Sequence, residues 1–384
     1  MMELKERQRM HLGAFFFFSG FVFSSWASRI PSIKTNFEFN EAELGTILLF
    51  MPISSLIGLP VSGWLVSRFD SRHPVTVGFI VMCFALALIG FAPNTVTLVA
   101  SICLFAFSMR IFNIAVNTQA ITLQKLFQRK INGAFHGLWS TGGIAGVGFS
   151  TLLVAFKVSM GIHLLIVCVI GLVATFVSSR HLLTNDRAPS GNKLQFGKPD
   201  PYIVYLGFMV FLAAVCEGGM FDWSGIYFKE VINVEVFTLG YLIFMIFMAI
   251  SRFASDRVIE RIGMAKTYVM SSLLIVAGIL LAVTMPSFWT AMVGFCLVGF
   301  GTASVIPMTY LMAGQSTKYS PGMAISIIAT YGIVGMLIGP PMIGYLAHAF
   351  DLRIAFVAFA IAGFALIPLS KSFFGFQQRA RQGA

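Results

Sequence analysis

Between residues 216 and 225 the chain reads CEGGMFDWSG, which places Glu217 and Asp222 inside an otherwise almost wholly apolar run. A carboxylate deep in lipid costs about 2.5–3.5 kcal/mol on insertion scales, so something must offset it. Five residues of helix turn the two acids about 140° apart, which argues against a carboxylate pair of the aspartic-protease kind. Glu217 is expected to lie the deeper of the two, with Asp222 nearer the end of its run, where water reaches it. A carboxylate that moves between apolar and cation-lined surroundings can load and release a proton. Both acids are therefore candidates for proton coupling.

A second group is Arg110, Asn113 and Asn117, spaced i, i+3, i+7 within another apolar run. That spacing puts all three on one helical face. Such a stripe would be hard to insert facing lipid, so it is predicted to face protein or water. Arg110 is expected to attract Glu217 or an acidic group on a solute, and protonation of Glu217 would free it. Trp26, Trp139 and Trp223 can stack on a sugar or aromatic ring while still hydrogen-bonding. Anchoring at the membrane interface is the other reading of the same tryptophans. His136, with Ser140 one turn on, reads as a helix–helix hydrogen bond rather than a proton relay. Arg29 is expected to snorkel at the end of the first run.

These residues need long apolar elements to hold them. Of 384 residues 57% are hydrophobic and 11% charged, whereas a soluble domain runs near 25% charged. Twelve runs are long enough to cross a bilayer, at 12–33, 42–67, 74–92, 95–118, 132–155, 161–179, 202–226, 237–255, 265–285, 287–312, 323–348 and 352–373. The expected fold is an all-α polytopic membrane protein with no soluble domain left over.

The net charge of +11 would raise the question of nucleic acid in a soluble protein. Here its placement answers that question. With the N-terminus inside, the inner segments collect Lys5, Arg7, Arg9, Arg68, Arg72, Lys125, Arg129 and Lys130. They continue with Arg180, Arg187, Lys193, Lys198, Arg252, Arg257, Arg261, Lys266, Lys318, Lys371, Arg379 and Arg381. Only Arg29, Lys34, Lys157, Lys229 and Arg353 fall outside, and Arg110 lies within a span. The positive-inside rule places both termini in the cytoplasm. The opening KERQR, FFFFSGFVF and SSWAS resemble a signal peptide, but its loss would leave an odd number of spans, so an uncleaved span is expected. Five cysteines fall within runs with no CxxC pair, which indicates neither disulfides nor a metal.

The two halves echo each other. Trp26 matches Trp223, Leu44-Gly45 matches Leu239-Gly240, Ser67-Arg68 matches Asp256-Arg257, and Gly142-x-x-x-Gly146 matches Gly335-x-x-x-Gly339. Each separation is within about five residues of half the chain, the mark of an internal repeat. Two six-helix bundles related by pseudo-two-fold symmetry are expected, at 1–179 and 202–384. The polar segment 180–201 between them reads as a cytoplasmic tether.

GWLVSRFDSR (63–72) resembles the loop signature of the major facilitator superfamily, with Ser67 where Asp is usual and Asp70 where Gly is usual. SDRVIERIG (255–263) is its second-half counterpart. GMLIGPPMIG (335–344) is similar to the family's Gly-Pro antiporter motif, displaced to span 11. NIAVN (113–117), HGLWSTGG (136–143) and EGGMFDWS (217–224) resemble a bacterial branch near the fucose permeases. The resemblance implies a central cavity lined by spans 1, 4, 7 and 10, gating by Arg68, Asp256 and Arg257, and a monomer in the bacterial inner membrane.

The expected function is secondary transport of a small polar solute, sugar-like or an organic acid, with the proton as coupling ion. Proton-driven export of lipophilic compounds is the alternative, favoured by the aromatic content and the Met-rich spans 7–8. A ligand sensor without flux is the third. Without a GxxxxGK[ST] loop, an HExxH or a GxSxG, neither ATP drive, an enzyme nor a cofactor is expected. Pro307, Pro340 and Pro341 should interrupt their helices.

Overall fold

The structure, a computed structural model, describes residues 4–128, 131–184, 186, 200–319 and 321–382, and its regular elements are all helical. The first seven helices are α1 (Leu4–Ala27), α2 (Ile30–Asn36), α3 (Glu41–Arg68), α4 (Arg72–Gly90), α5 (Thr95–Gln124), α6 (Asn132–Ala155) and α7 (Met160–Ser178). A 3-10 turn at Ser179–His181 follows. The second set is α8 (Pro201–Glu230), α9 (Leu239–Ile262), α10 (Met264–Thr284), α11 (Phe288–Thr302), α12 (Val305–Ala313), α13 (Pro321–Ala349) and α14 (Leu352–Gln382). Among the described residues eleven segments are long and apolar enough to cross a membrane, α1 with α2 and α11 with α12 each counting as one. The remaining segment, α9, has a shorter apolar stretch, Leu239–Ser255. The expected all-α polytopic fold is thus the observed one.

Two prolines explain why two of the spans are split. A proline lacks the donor for the carbonyl four residues back and clashes with it. Four residues before Pro31 is Ala27, where α1 ends, and four before Pro307 is Ala303, in the gap between α11 and α12. Pro340 and Pro341 do not have this effect. Helix α13 runs through both, as α3 does through Pro52 and Pro60.

The chain divides into two compact units, 1–37 with 50–195, and 38–49 with 196–384. Each repeats one packing plan. In the first, α1 lies against α6 and α7, and α4 against α5 and α7; in the second, α8 lies against α13 and α14, and α10 against α11 and α14. The starts of α5 and α11 repeat as well. Asn94 with Thr97, and Ser287 with Thr290, form matching capping boxes, each satisfying orphan amides of a helix start.

The paired Gly motifs serve this packing. A Cβ on Gly142 would stand 1.8 Å from the Phe17 carbonyl oxygen, and one on Gly335 would stand 2.6 Å from that of Phe211. Close backbone approach of this kind is what small residues permit between membrane helices. In the second unit Gly344 is pressed against Glu41 and Gly45, so the Gly-Pro-Pro segment seats the first turns of α3. Thr46 Oγ1 and Tyr345 Oη are 3.0 Å apart in the same contact.

The start of the expected tether is docked on the first unit. Leu182, Leu183 and Asp186 are buried. The Gln119 side chain donates to the Leu183 carbonyl at 2.9 Å and accepts from its amide at 3.1 Å. Asp186 accepts from the Ser71 amide at 2.9 Å and from the Ser71 hydroxyl.

Candidate functional site

In the second unit Glu217 lies close to the midpoint of α8, and Arg252 close to that of α9. Arg252 Nη2 donates to Glu217 Oε1 at 2.9 Å, with the carboxylate side chain 9% exposed and the arginine 29%. This corrects one expectation: the partner of Glu217 is Arg252 rather than Arg110. Arg252 lies three residues before the end of the apolar stretch Leu239–Ser255 of α9. One signal in the sequence could have revealed it: Arg252 is the single charge in the stretch Leu239–Ser255. Close packing fixes the carboxylate's place. A Cβ on Gly219 would lie 2.1 Å from the Phe359 ring, so the glycine lets α14 seat directly beside Glu217's turn.

The pair answers how the acid is tolerated. Two opposite charges in mutual contact leave far less uncompensated charge than either alone, provided the geometry is good. The match is incomplete, because Glu217 Oε2 is buried without a hydrogen bond. Asp222, a turn and a half farther along α8, makes no hydrogen bond or ion pair among the described residues and is part-exposed.

In the first unit Arg110 stands at the midpoint of the 30-residue α5, about 22 Å from either end at 1.5 Å per residue. Its Nε donates to Ser55 Oγ on α3 at 2.8 Å. One turn on, a Cβ on Gly58 would lie 3.2 Å from Arg110 Cβ and 3.2 Å from the Phe107 carbonyl oxygen. The absent side chain makes room for the arginine stem. Asn113 and Asn117 share its part-exposed face, and Asn117 Nδ2 donates to the Asn113 carbonyl at 2.7 Å. The stripe is therefore real, with Asn117 partly spent on its own helix.

The charge balance of this unit is one-sided. Between Asp70 and Asp186 the sequence contains no Asp or Glu, and none occurs in 7–37 or 50–69. No carboxylate forms an ion pair with Arg110 among the described residues. A charged arginine at mid-membrane costs about 2.5–3.5 kcal/mol on insertion scales, and a hydrogen bond to a charged group returns about 1.5–3 kcal/mol. Ser55 alone leaves four guanidinium donors to be satisfied by water or by another group.

Arg29 does not snorkel. It is 4% exposed, donating from Nε to His163 Nδ1 at 2.8 Å and from Nη2 to the Val158 carbonyl at 2.9 Å. His163 Nε2 lies 3.3 Å from Ser150 Oγ, whose own proton goes to the Gly146 carbonyl. The imidazole is thus a neutral acceptor at Nδ1 and a donor at Nε2. This cluster staples the junction of α1 and α2 to α6 and α7 and is packed shut.

The tryptophans separate into two kinds. Trp26 and Trp223 are buried inside their own units, Trp26 against Phe105 with centroids 5.9 Å apart, and neither offers a stacking face. Trp139 is part-exposed beside Phe23. His136 is exposed, its ring in an edge-type contact with Phe16, centroids 5.8 Å apart. Arg68 ends α3 and Arg257 stands on α9, both exposed. Asp256 belongs to α9, but its side chain lies outside the described residues.

Comparison with known proteins bears on this arrangement. A family model described as Major Facilitator Superfamily matches residues 12–283 and 243–382. The chain is 30% identical over 348 residues to an uncharacterized MFS-type transporter of Yersinia pestis, covering 90% of each. It is 32% identical over 365 residues to the membrane protein MosC of Rhizobium meliloti, covering 94% of this chain and 88% of that one. Among solved structures, the nucleoside transporter NupG superposes with a TM-score of 0.72 at 13% identity, over 97% of this chain and 99% of that one. A bacterial homolog of the human lysosomal transporter Spinster, inward-facing and occupied, gives 0.74 at 14%, over 99% and 98%. At these identities the structural likeness establishes the fold.

Proposed function

The chain belongs to the major facilitator superfamily, and on that premise we propose that it is a proton-coupled secondary transporter of a small polar organic solute. The observation that carries this reading is a pair of charged stations within the apolar helices, Arg110 with Asn113 midway along α5, and Glu217 midway along α8 with its partner Arg252 on α9. Charges at that depth are expensive, and in membrane proteins they mark solute or ion pathways. A greasy export cavity would have no use for them.

In this scheme the solute binds at Arg110, Asn113 and Asn117, with Trp139 as a stacking face. Glu217 carries the coupling proton: protonation dissolves its pair with Arg252 and leaves the arginine free to move. Asp222 is the second acid on the proton path. Arg68 and the Asp256-Arg257 pair serve the inner gate. The protein works as a monomer in the bacterial inner membrane with both termini in the cytoplasm, and does no catalysis.

The test is solute-evoked proton movement in proteoliposomes loaded with a pH dye. The panel holds sugars, organic acids, nucleosides and lipophilic cations. A polar solute should move protons through the wild type, and Glu217→Gln should bind it without moving protons. Coupled flux confined to the lipophilic cations would replace this reading with the exporter. Solute binding without flux of either species would replace it with a sensor.

A further inference from the structure

Among the described residues Arg110 has no acidic partner in its own unit, and the sequence offers none there between the inner ends of the helices. In the second unit Glu217 is already matched by Arg252, which leaves Asp222 as the one unmatched acid within a span among the described residues. A mid-membrane cation with most of its donors unspent calls for an anion that arrives from elsewhere. Building on the transport reading above, we infer that the transported solute carries a carboxylate, and that Arg110 receives it through Nη1 and Nη2.

The local geometry sets the mode of binding. Ser55 occupies Nε, so the side-on fork of Nε with one Nη is closed, and the end-on pair Nη1 and Nη2 stays available. Two parallel donors match the two oxygens of one carboxylate. Gly58 lets the arginine stem lie close against α3 and Ser55 Oγ holds its Nε, so the fork is positioned before the anion arrives. Asn113, one turn along the same face, is placed to bond a neighbouring hydroxyl of the solute.

Charge selects the class of oxyanion. One guanidinium neutralises a carboxylate fully. A phosphate monoester carries about −1.5 to −2 charges at neutral pH and would leave an excess of negative charge at a depth where it is not tolerated. Arg29, a buried cation of the same unit, cannot play this part because a ring nitrogen and a carbonyl enclose it.

The test needs no knowledge of the natural solute. The apparent melting temperature of the purified full-length protein is measured in acetate, propionate and D-galacturonate against chloride of equal ionic strength, with galactose and inorganic phosphate alongside. The carboxylates should raise it, galacturonate most, while galactose and phosphate should do less. Arg110→Gln should abolish the difference, and Arg110→Lys should keep a weakened one, since a lysine supplies charge without the fork. Ser55→Ala, which leaves the arginine in place, should weaken carboxylate binding about tenfold. Equal melting in carboxylate and chloride for the wild type overturns the inference, as does a rise that survives in Arg110→Gln. None of these outcomes touches the transport reading, which stands or falls on solute-evoked proton flux.

Discussion

At the scale of single residues, the ion pair of Glu217 and Arg252 makes a sharp prediction. Removing one partner of a buried pair costs about 3–5 kcal/mol, because the other charge is left uncompensated. Arg252 is part-exposed, so about 1–3 kcal/mol, the cost of leaving a partly buried group unsatisfied, is expected for Glu217→Gln or Arg252→Gln. The double variant should lose less than the sum of the singles, a coupling read from thermal melts of all four proteins. Strict additivity would show that the two groups do not meet. Glu217 was legible in the sequence because one acid in an apolar run needs a reason. Its partner was not, because positive charge near a span end is the ordinary mark of the inner side, and helix contacts 35 residues apart leave no local spacing. Burial of Trp26 and Trp223 was equally hidden, since a tryptophan serves a core, an interface or a ligand with the same ring.

At the scale of helices, the packing of α1 on α6 turns on glycines whose neighbours are backbone atoms. Gly142→Ala would drive a methyl to 1.8 Å from the Phe17 carbonyl oxygen, and neither helix can yield locally. Overpacking of this kind costs about 1–3 kcal/mol. Gly148, on the same helix with nothing within 4 Å of a built Cβ, is the control. Gly148→Ala should be neutral or stabilising by up to about 1 kcal/mol, since alanine is the better helix former. A lower melting temperature for Gly142→Ala beside an unchanged or higher one for Gly148→Ala would bear this out; the reverse order would refute the α1–α6 contact. The Gly-x-x-x-Gly spacing announced these contacts in the sequence. The sequence did not distinguish prolines that split a span from prolines that do not. Pro31 and Pro307 coincide with breaks, while Pro340 and Pro341 sit within a continuous α13.

At the scale of the whole chain, the duplication was readable because twelve apolar runs and four landmark pairs each repeat at half the length, and the recurring packing plan matches it. What the sequence concealed is how the first unit is closed at its basic end. The polar stretch after α7 has the composition of a tether, yet its opening residues gather three helices. His181 meets the ring of His11 on α1 with centroids 4.2 Å apart, and Gln119 of α5 holds Leu183. Asp186 reaches Ser71, the residue that caps α4, and so supplies negative charge at a helix start in the loop where Ser67 replaces the usual acid. Asp186→Ala would leave the buried Ser71 amide without its acceptor, a loss of about 1–3 kcal/mol. Because Asp186 and Leu183 both dock on the first unit three residues apart, the effect should reach from one to the other. Hydrogen exchange should quicken at the amides of both Ser71 and Leu183 in Asp186→Ala, while amides in the middle of α8 keep their protection. Faster exchange at Ser71 alone would mean that Asp186 caps one helix and nothing more. Faster exchange at both, with α8 unmoved, would make 180–184 together with Asp186 a structural part of the first bundle.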